Sequence, residues 1–122
     1  MKTEGKFKVT LTPLEEKPLN ISKIKKEYEG GLSGTSEGCM IGYISSNGAG
    51  GYVAQEIFIG VLDGKKGSFV LQHTGEMSEA GESLVITLVP GSGTDELEGI
   101  SGKYTIERKD GEHLYSFQYT LD

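Results

Sequence analysis

Apolar and polar residues alternate along most of the chain, in short runs that glycine-rich segments separate. In the first run, Phe7, Val9 and Leu11 alternate with lysine and threonine. Successive side chains of a β-strand point to opposite faces, so this pattern indicates a half-buried strand. Eight such runs predict eight strands, with the bounds Gly5–Thr12, Ile21–Glu29, Gly34–Ser45, Tyr52–Leu62, Ser68–Glu76, Ser83–Val89, Lys103–Arg108 and His113–Leu121.

The segments between the predicted strands are short and rich in turn residues. Asn47–Gly51 and Asp63–Gly67 are glycine clusters, and Asp110-Gly111 is a typical hairpin signal. No helical periodicity of useful length is present, although Leu97–Ile100 could form one helical turn. The sequence therefore predicts one all-β domain over residues 1–122, a single eight-stranded antiparallel barrel. Such a barrel has room inside for side chains or for one small ligand.

The predicted strands differ in how clearly they separate an inner from an outer face. The fifth strand places Phe69, Leu71 and His73 on one face and Val70 and Gln72 on the other. The second strand is weaker, since Ile24 and Tyr28 share a face with Lys26 between them. Apolar and polar residues alternate regularly in the eighth strand. Its aromatic-rich face carries His113, Tyr115, Phe117, Tyr119 and Leu121.

The fourth predicted strand is apolar on both faces. One face carries Val53, Gln55, Ile57, Ile59 and Val61, and the other carries Tyr52, Ala54, Glu56, Phe58 and Leu62. One face can point into the barrel, but the other needs a cover, because large apolar patches are uncommon on monomer surfaces. We therefore expect a homo-oligomer. The alternative is that a terminus or a loop covers this face.

Charge and cysteine content exclude several classes of partner. The 122 residues include 12 basic and 18 acidic side chains, a net charge of −6, with no tryptophan and no basic cluster. An acidic chain of this kind is a poor ligand for nucleic acids and for anionic membrane surfaces. Cys39 is the only cysteine, which excludes an internal disulfide. With no signal peptide or membrane span in the sequence, we expect a soluble cytoplasmic protein.

The segment Val89–Ile106 combines a strand end, a loop and a new strand. Its four glycines are Gly91, Gly93, Gly99 and Gly102. The loop lacks the spacing of a phosphate-binding loop, because Glu96 takes the place of the third glycine, and its acidic residues would repel phosphate. The glycines are better explained by positive φ angles and close backbone approach at a corner of the barrel.

Four segments together resemble a bacterial family, domain-of-unknown-function family 3224. They are Tyr52–Glu56, Gly67–Gly75, Val89–Gly102 and Gly111–Phe117. The resemblance covers nearly the whole chain and implies an allene oxide cyclase-like, calycin-like barrel. The Gly91-Ser92-Gly93 loop resembles the matching loop of the plant cyclases and, more weakly, that of dirigent proteins. The family brings no established activity, and the resemblance to the cyclases aligns their glycine loop with this chain but not their catalytic residues.

The leading functional hypothesis is a binding module for a small apolar or amphipathic molecule. Aromatic side chains with one polar end suit such a cavity, and so do polar groups within apolar strands. The residues predicted to line it are Tyr52, Glu56, Phe69, Gln72, His73, His113 and Tyr115. The alternatives are a cofactor-free isomerase or cyclase, and a barrel with a filled interior that acts through its surface.

Three residues are the candidates for catalysis: Glu56, His73 and His113. Burial would raise the pKa of Glu56 and make it an acid or base, unless a neighbouring donor pairs with it. The histidines titrate near neutrality, and with Glu56 they could form a two-His, one-carboxylate metal site. Their spacing gives no local support for a metal, so neither a metal nor a cofactor is expected. Nothing in the sequence supplies Cys39 with a base, so we expect an inert thiol.

Overall fold

The computed structural model describes residues 1–121, which form a closed antiparallel barrel. Each strand pairs with the next along the chain, and the last pairs with the first. The strands are β1 (Lys2–Glu15), β2 (Asn20–Gly30), β3 (Leu32–Ile44), β4 (Gly50–Leu62), β5 (Lys65–Ser78), β6 (Gly81–Leu88), β7 (Ser101–Lys109) and β8 (Glu112–Thr120). The predicted all-β, eight-stranded antiparallel barrel is confirmed.

The strands extend further into the glycine clusters than the sequence predicted. Asp63 and Gly64 alone join β4 to β5, with φ angles of 47° and 88°. A two-residue turn with both φ angles positive matches the twist of the strands on either side. Lys65, Lys66 and Gly67, predicted as part of the turn, therefore continue β5 and pair with β4.

One half of the barrel interior is filled by apolar side chains. The rings of Phe58 and Phe69 lie 5.1 Å apart, and those of Phe69 and Phe117 lie 5.6 Å apart. These are distances at which aromatic pairs attract each other. The side chains with no exposed surface here are Leu32, Phe58, Leu62, Phe69, Leu71, Leu97 and Phe117. We call this half the closed end.

The glycine loop between β6 and β7 helps to fill the closed end. Its only helical turn is Asp95–Leu97, two residues before the predicted position, and it places Leu97 in the core. Ser92 and Thr94 accept hydrogen bonds from the backbone of β5 at 3.0 and 3.1 Å. A Cβ atom on Gly93 would lie 2.1 Å from the Leu97 carbonyl oxygen, so this close approach requires glycine.

The outer face of β4 exposes apolar side chains. Val53, Ile57 and Ile59 alternate with the buried Ala54, Glu56 and Phe58, as the sequence predicted, and Ile59 is 60% exposed. The homo-oligomer inferred from this face stays a prediction. Residues 1–121 contain no helix that is both long enough and apolar enough to cross a membrane.

The pairing between β6 and β7 is the shortest in the barrel wall. Along residues 1–121, these strands pair only at Ile86 with Tyr104 and at Thr87 with Lys103. By contrast, β6 pairs with β5 from Gly81 to Leu88. The first half of β6 therefore has a paired strand on one side only.

Candidate functional site

The half of the barrel opposite the closed end holds an open cavity of about 690 Å³. It lies where the β1–β2, β3–β4, β5–β6 and β7–β8 hairpins turn. Apolar side chains form much of its wall, including Phe7, Val9, Leu11, Ile24, Ala54 and Ile106. Lys26 and His73 line it from within the barrel, and Glu76, Glu82 and Arg108 add charges.

The carboxylate of Glu56 is the centre of a buried polar network beneath this cavity. Its Oε2 atom accepts a hydrogen bond from Lys26 Nζ at 2.6 Å and lies 2.7 Å from His73 Nε2. Its Oε1 atom accepts hydrogen bonds from the hydroxyls of Tyr28 at 2.6 Å and Ser36 at 2.8 Å. Glu56 is only 1% exposed. A carboxylate offers about four acceptor positions, so the network fills them.

The sequence of β3 explains why these long side chains meet. Its inner face carries Gly34, Ser36 and Gly38, which leave space inside the barrel. Lys26 pairs with Ser36, and Glu56 pairs with Gly38, from the strands on either side of β3. The side chains of Lys26 and Glu56 can therefore cross the space above β3 and reach each other. His73 comes from β5, one strand beyond Glu56.

The network keeps Glu56 ionised. Burial raises its pKa, but the hydrogen bond from His73, the charge and hydrogen bond of Lys26 and the hydrogen bond from Tyr28 outweigh burial and lower the pKa to about 2. The sequence-based expectation of a raised pKa is therefore wrong, and the paired carboxylate named as its alternative is correct. Burial, together with the charges of Tyr104 and Glu56, raises the pKa of Tyr28, so its hydroxyl stays a donor.

Acid should weaken the barrel through Glu56. Its pKa is 4.5 in an unfolded chain and about 2 in the fold, so the carboxylate stabilises the fold above pH 4.5 and loses this effect as the pH falls towards 2. That difference corresponds to about 3 kcal/mol. Urea unfolding at several pH values should therefore show the stability gap between wild type and Glu56→Gln closing by about this amount below pH 4.5. A gap that stays constant down to pH 2 would contradict the ionised, paired carboxylate.

Lys26 and His73 are the polar groups that this network presents to the cavity. The Lys26 ammonium lies 4.7 Å from the centre of the Phe7 ring, a cation–π contact, and uses one of its three protons on Glu56. His73 bonds Glu56 through Nε2, and within residues 1–121 its Nδ1 has no hydrogen-bond partner. No buried side-chain nitrogen or oxygen within residues 1–121 lacks a partner, so Nδ1 is not enclosed.

The structure brings together some of the predicted site residues. Tyr52, His73 and His113 line the cavity, and Glu56 lies beneath it. Glu56 and His73 are in direct contact. His113 instead stacks on Phe7 with 5.2 Å between ring centres. Within residues 1–121, no group of three or more His, Cys, Asp or Glu side chains is placed to hold a metal ion.

Three of the predicted lining residues lie outside the cavity. Phe69 is part of the filled closed end. The Tyr115 hydroxyl donates to the Glu29 carbonyl at 2.8 Å and accepts from the Leu32 amide at 2.9 Å, so it joins two strands. Gln72 lies on the outer surface and bonds Gln55. Gln72 was wrongly predicted to line the cavity. Inner and outer positions alternate along β5, and its neighbours Leu71 and His73 occupy the inner ones.

Sequence reasoning missed Lys26, Tyr28 and Ser36 as members of the site. The signal for Lys26 was present: it lies two residues from both Ile24 and Tyr28 and therefore on their inner face. A lysine within an inner face of a barrel strand needs a buried carboxylate, and Glu56 is the one acidic residue on an inner face of β4. Cys39 is exposed on the outer surface and takes no part in the site.

Comparison with known proteins relates the whole chain to one family. The model of the family "Protein of unknown function (DUF3224)" matches residues 3–119. A solved structure from Shewanella oneidensis MR-1, described as a protein with unknown function from the DUF3224 family, is 36% identical to this chain. It superposes with a TM-score of 0.94, over 100% of this chain and 98% of that one. No curated protein matches the sequence. The chain therefore belongs to the DUF3224 family of proteins of unknown function.

Proposed function

We propose that the open end of the barrel binds a small, partly apolar molecule. The observation that carries this proposal is the position of Lys26 and His73, two buried polar side chains with free hydrogen-bonding capacity, at the inner limit of an apolar cavity. Binding sites for small molecules combine apolar walls with a few convergent polar groups. The cavity volume of about 690 Å³ lies in the range of such sites.

A neutral apolar dye, N-phenyl-1-naphthylamine, tests the proposal through its fluorescence, which increases in apolar surroundings. We expect the protein to bind it, and Ala54→Phe to reduce its affinity at least about tenfold, because a phenyl ring on this buried lining position occupies the cavity. Thr105→Phe is the matched control, since Thr105 is exposed on the outer face of β7. Equal dye binding by both variants would place the dye on the outer surface and contradict the proposal.

A cofactor-free isomerase or cyclase is the second candidate. One observation favours it: His73 lines the cavity, a carboxylate fixes one of its ring nitrogens, and the other has no hydrogen-bond partner among residues 1–121. This arrangement suits a general base. Glu56 is a weaker candidate for this role because four donors occupy its carboxylate. The filled closed end gives partial support to the third alternative, a barrel that acts through its surface.

We further propose that this barrel is of the allene oxide cyclase-like, calycin-like type and that the protein is cytoplasmic. The sequential pairing of the eight strands and the glycine loop before β7 support the first statement. The acidic composition and the single, unpaired cysteine are compatible with the second.

A further inference from the structure

We propose that the ligand carries a weakly acidic group, such as a carboxylic acid, and that this group gives its proton to His73 when it binds. The resulting anion would lie between His73 and Lys26. This inference rests on the proposed function, since it assigns the polar end of the molecule that the cavity would hold.

The tautomer of His73 follows from its contact with Glu56. The carboxylate is an acceptor only, so the imidazole must donate to it, and the proton of a neutral His73 belongs on Nε2. That leaves Nδ1 with a lone pair and with no hydrogen-bond partner in the part of the chain that the structure describes. His73 Nδ1 is therefore a proton acceptor, and it is complementary to a ligand group that is a proton donor.

Lys26 supplies the complementary part of the site. Its ammonium keeps two protons after the bond to Glu56, and it borders the same cavity. Lys26 Nζ and His73 Nε2 contact the same oxygen at 2.6 and 2.7 Å, which keeps the two side chains adjacent. A carboxylate could use one oxygen on each of them, as charge-assisted hydrogen bonds favour.

The balance of charge explains why the proton should enter with the ligand. Lys26 offsets Glu56, and among the other ionisable groups that line the cavity Glu76 and Glu82 outnumber Arg108, with Tyr52 and His113 beside them. A bare anion would add to this negative excess. A neutral acid adds no net charge, and the transfer of its proton creates an imidazolium next to both Glu56 and the new anion.

The transfer is balanced without another reactant. The O–H bond of the acid breaks and its electron pair stays on oxygen. The proton forms a new N–H bond at His73 Nδ1, while Nε2 keeps its proton on Glu56. The reverse transfer restores both partners when the ligand leaves.

Two molecules of matched shape test the inference: 4-phenylbutanoic acid and 4-phenylbutan-1-ol, each used to displace N-phenyl-1-naphthylamine. Above neutral pH the free acid is an anion, so its binding to a neutral His73 should take up one proton. The uptake of one proton lowers the affinity by about tenfold for each unit that the pH rises. The affinity of the alcohol should not change with pH. Nitrogen-15 NMR of the wild-type protein should show His73 Nδ1 gaining a proton with the acid and not with the alcohol.

His73→Asn should remove the pH dependence of acid binding, whereas Thr74→Asn, on the outer face of the same strand, should behave as wild type in both acid and dye binding. Acid and alcohol that displace the dye equally at all pH values, with His73 unchanged in the NMR spectrum, would overturn this inference and leave the proposed function standing. A protein that binds neither the dye nor either molecule would overturn both. The NMR measurement needs no variant, so a misfolded His73→Asn protein would not prevent the test.

Discussion

Glu56→Gln is expected to destabilise the protein by about 3–5 kcal/mol, the usual cost of removing one partner of a buried ion pair. Lys26 is only 5% exposed, and within residues 1–121 its ammonium would have no opposite charge in contact. The amide of glutamine also has a donor group in place of one carboxylate oxygen, so the two present partners of that oxygen would face a second donor. Urea unfolding followed by circular dichroism measures the change.

The matched control for this substitution is Glu37→Gln, because Glu37 is exposed on the outer face of β3, one strand from Glu56. Its effect should stay within about 0.5 kcal/mol. The double variant Lys26→Met/Glu56→Gln should be less destabilised than the two single variants added together, because neither charge then remains unpaired. A Glu56→Gln protein as stable as wild type would show that the carboxylate does not hold the network together.

Phe58→Ala is expected to destabilise the barrel by about 3–5 kcal/mol, through the lost transfer of the ring from water and the cavity that remains. Phe58 has no exposed surface and contacts the rings of Tyr28 and Phe69 at 5.5 and 5.1 Å. The closed barrel wall limits how far the surrounding strands can move inward to refill the space. Chemical unfolding with a two-state fit gives the value.

Ile59→Ala is the control for Phe58→Ala, since it truncates the next residue of the same strand on the outer face. Ile59 is 60% exposed, so we expect a loss of less than about 1 kcal/mol. Similar losses for both variants would show either that the closed end is loosely packed or that the outer face is buried against another molecule.

The arrangement of strands was predictable because alternation is a local signal. The sequence placed Phe58 and Ile59 on opposite faces of one strand, and this is confirmed, since Phe58 is buried and Ile59 is exposed. The ends of the strands were less predictable, because Lys65 and Lys66 are polar residues that pair in the strand while their side chains remain exposed. The polar character of these two lysines shows that their side chains are exposed to solvent. It does not show that strand pairing ends there.

The polar site was only partly predictable, because its members meet through the curvature of the closed sheet. Glu56 and His73 are 17 residues apart in sequence and could be identified as inner-face polar groups. Lys26 reaches Glu56 from two strands away, across an inner face of β3 made of small residues. The alternation of residues within a single strand cannot predict this contact between Lys26 and Glu56. The same limit explains Tyr115, whose inner position was predicted but whose hydroxyl bonds the backbone at the β2–β3 junction.

The short pairing between β6 and β7 has a consequence for how a small molecule could leave the cavity. Glu82, Ser83 and Leu84 border the cavity in the part of β6 that has no partner on its β7 side. Within residues 1–121, no strand pairing therefore joins β6 to β7 at this point, and moving the two strands apart here breaks no backbone hydrogen bond between them. A molecule bound as proposed above could leave sideways between these two strands while the remaining strands stay joined. Release of the molecule from the cavity and unfolding of the barrel would then have separate energy barriers.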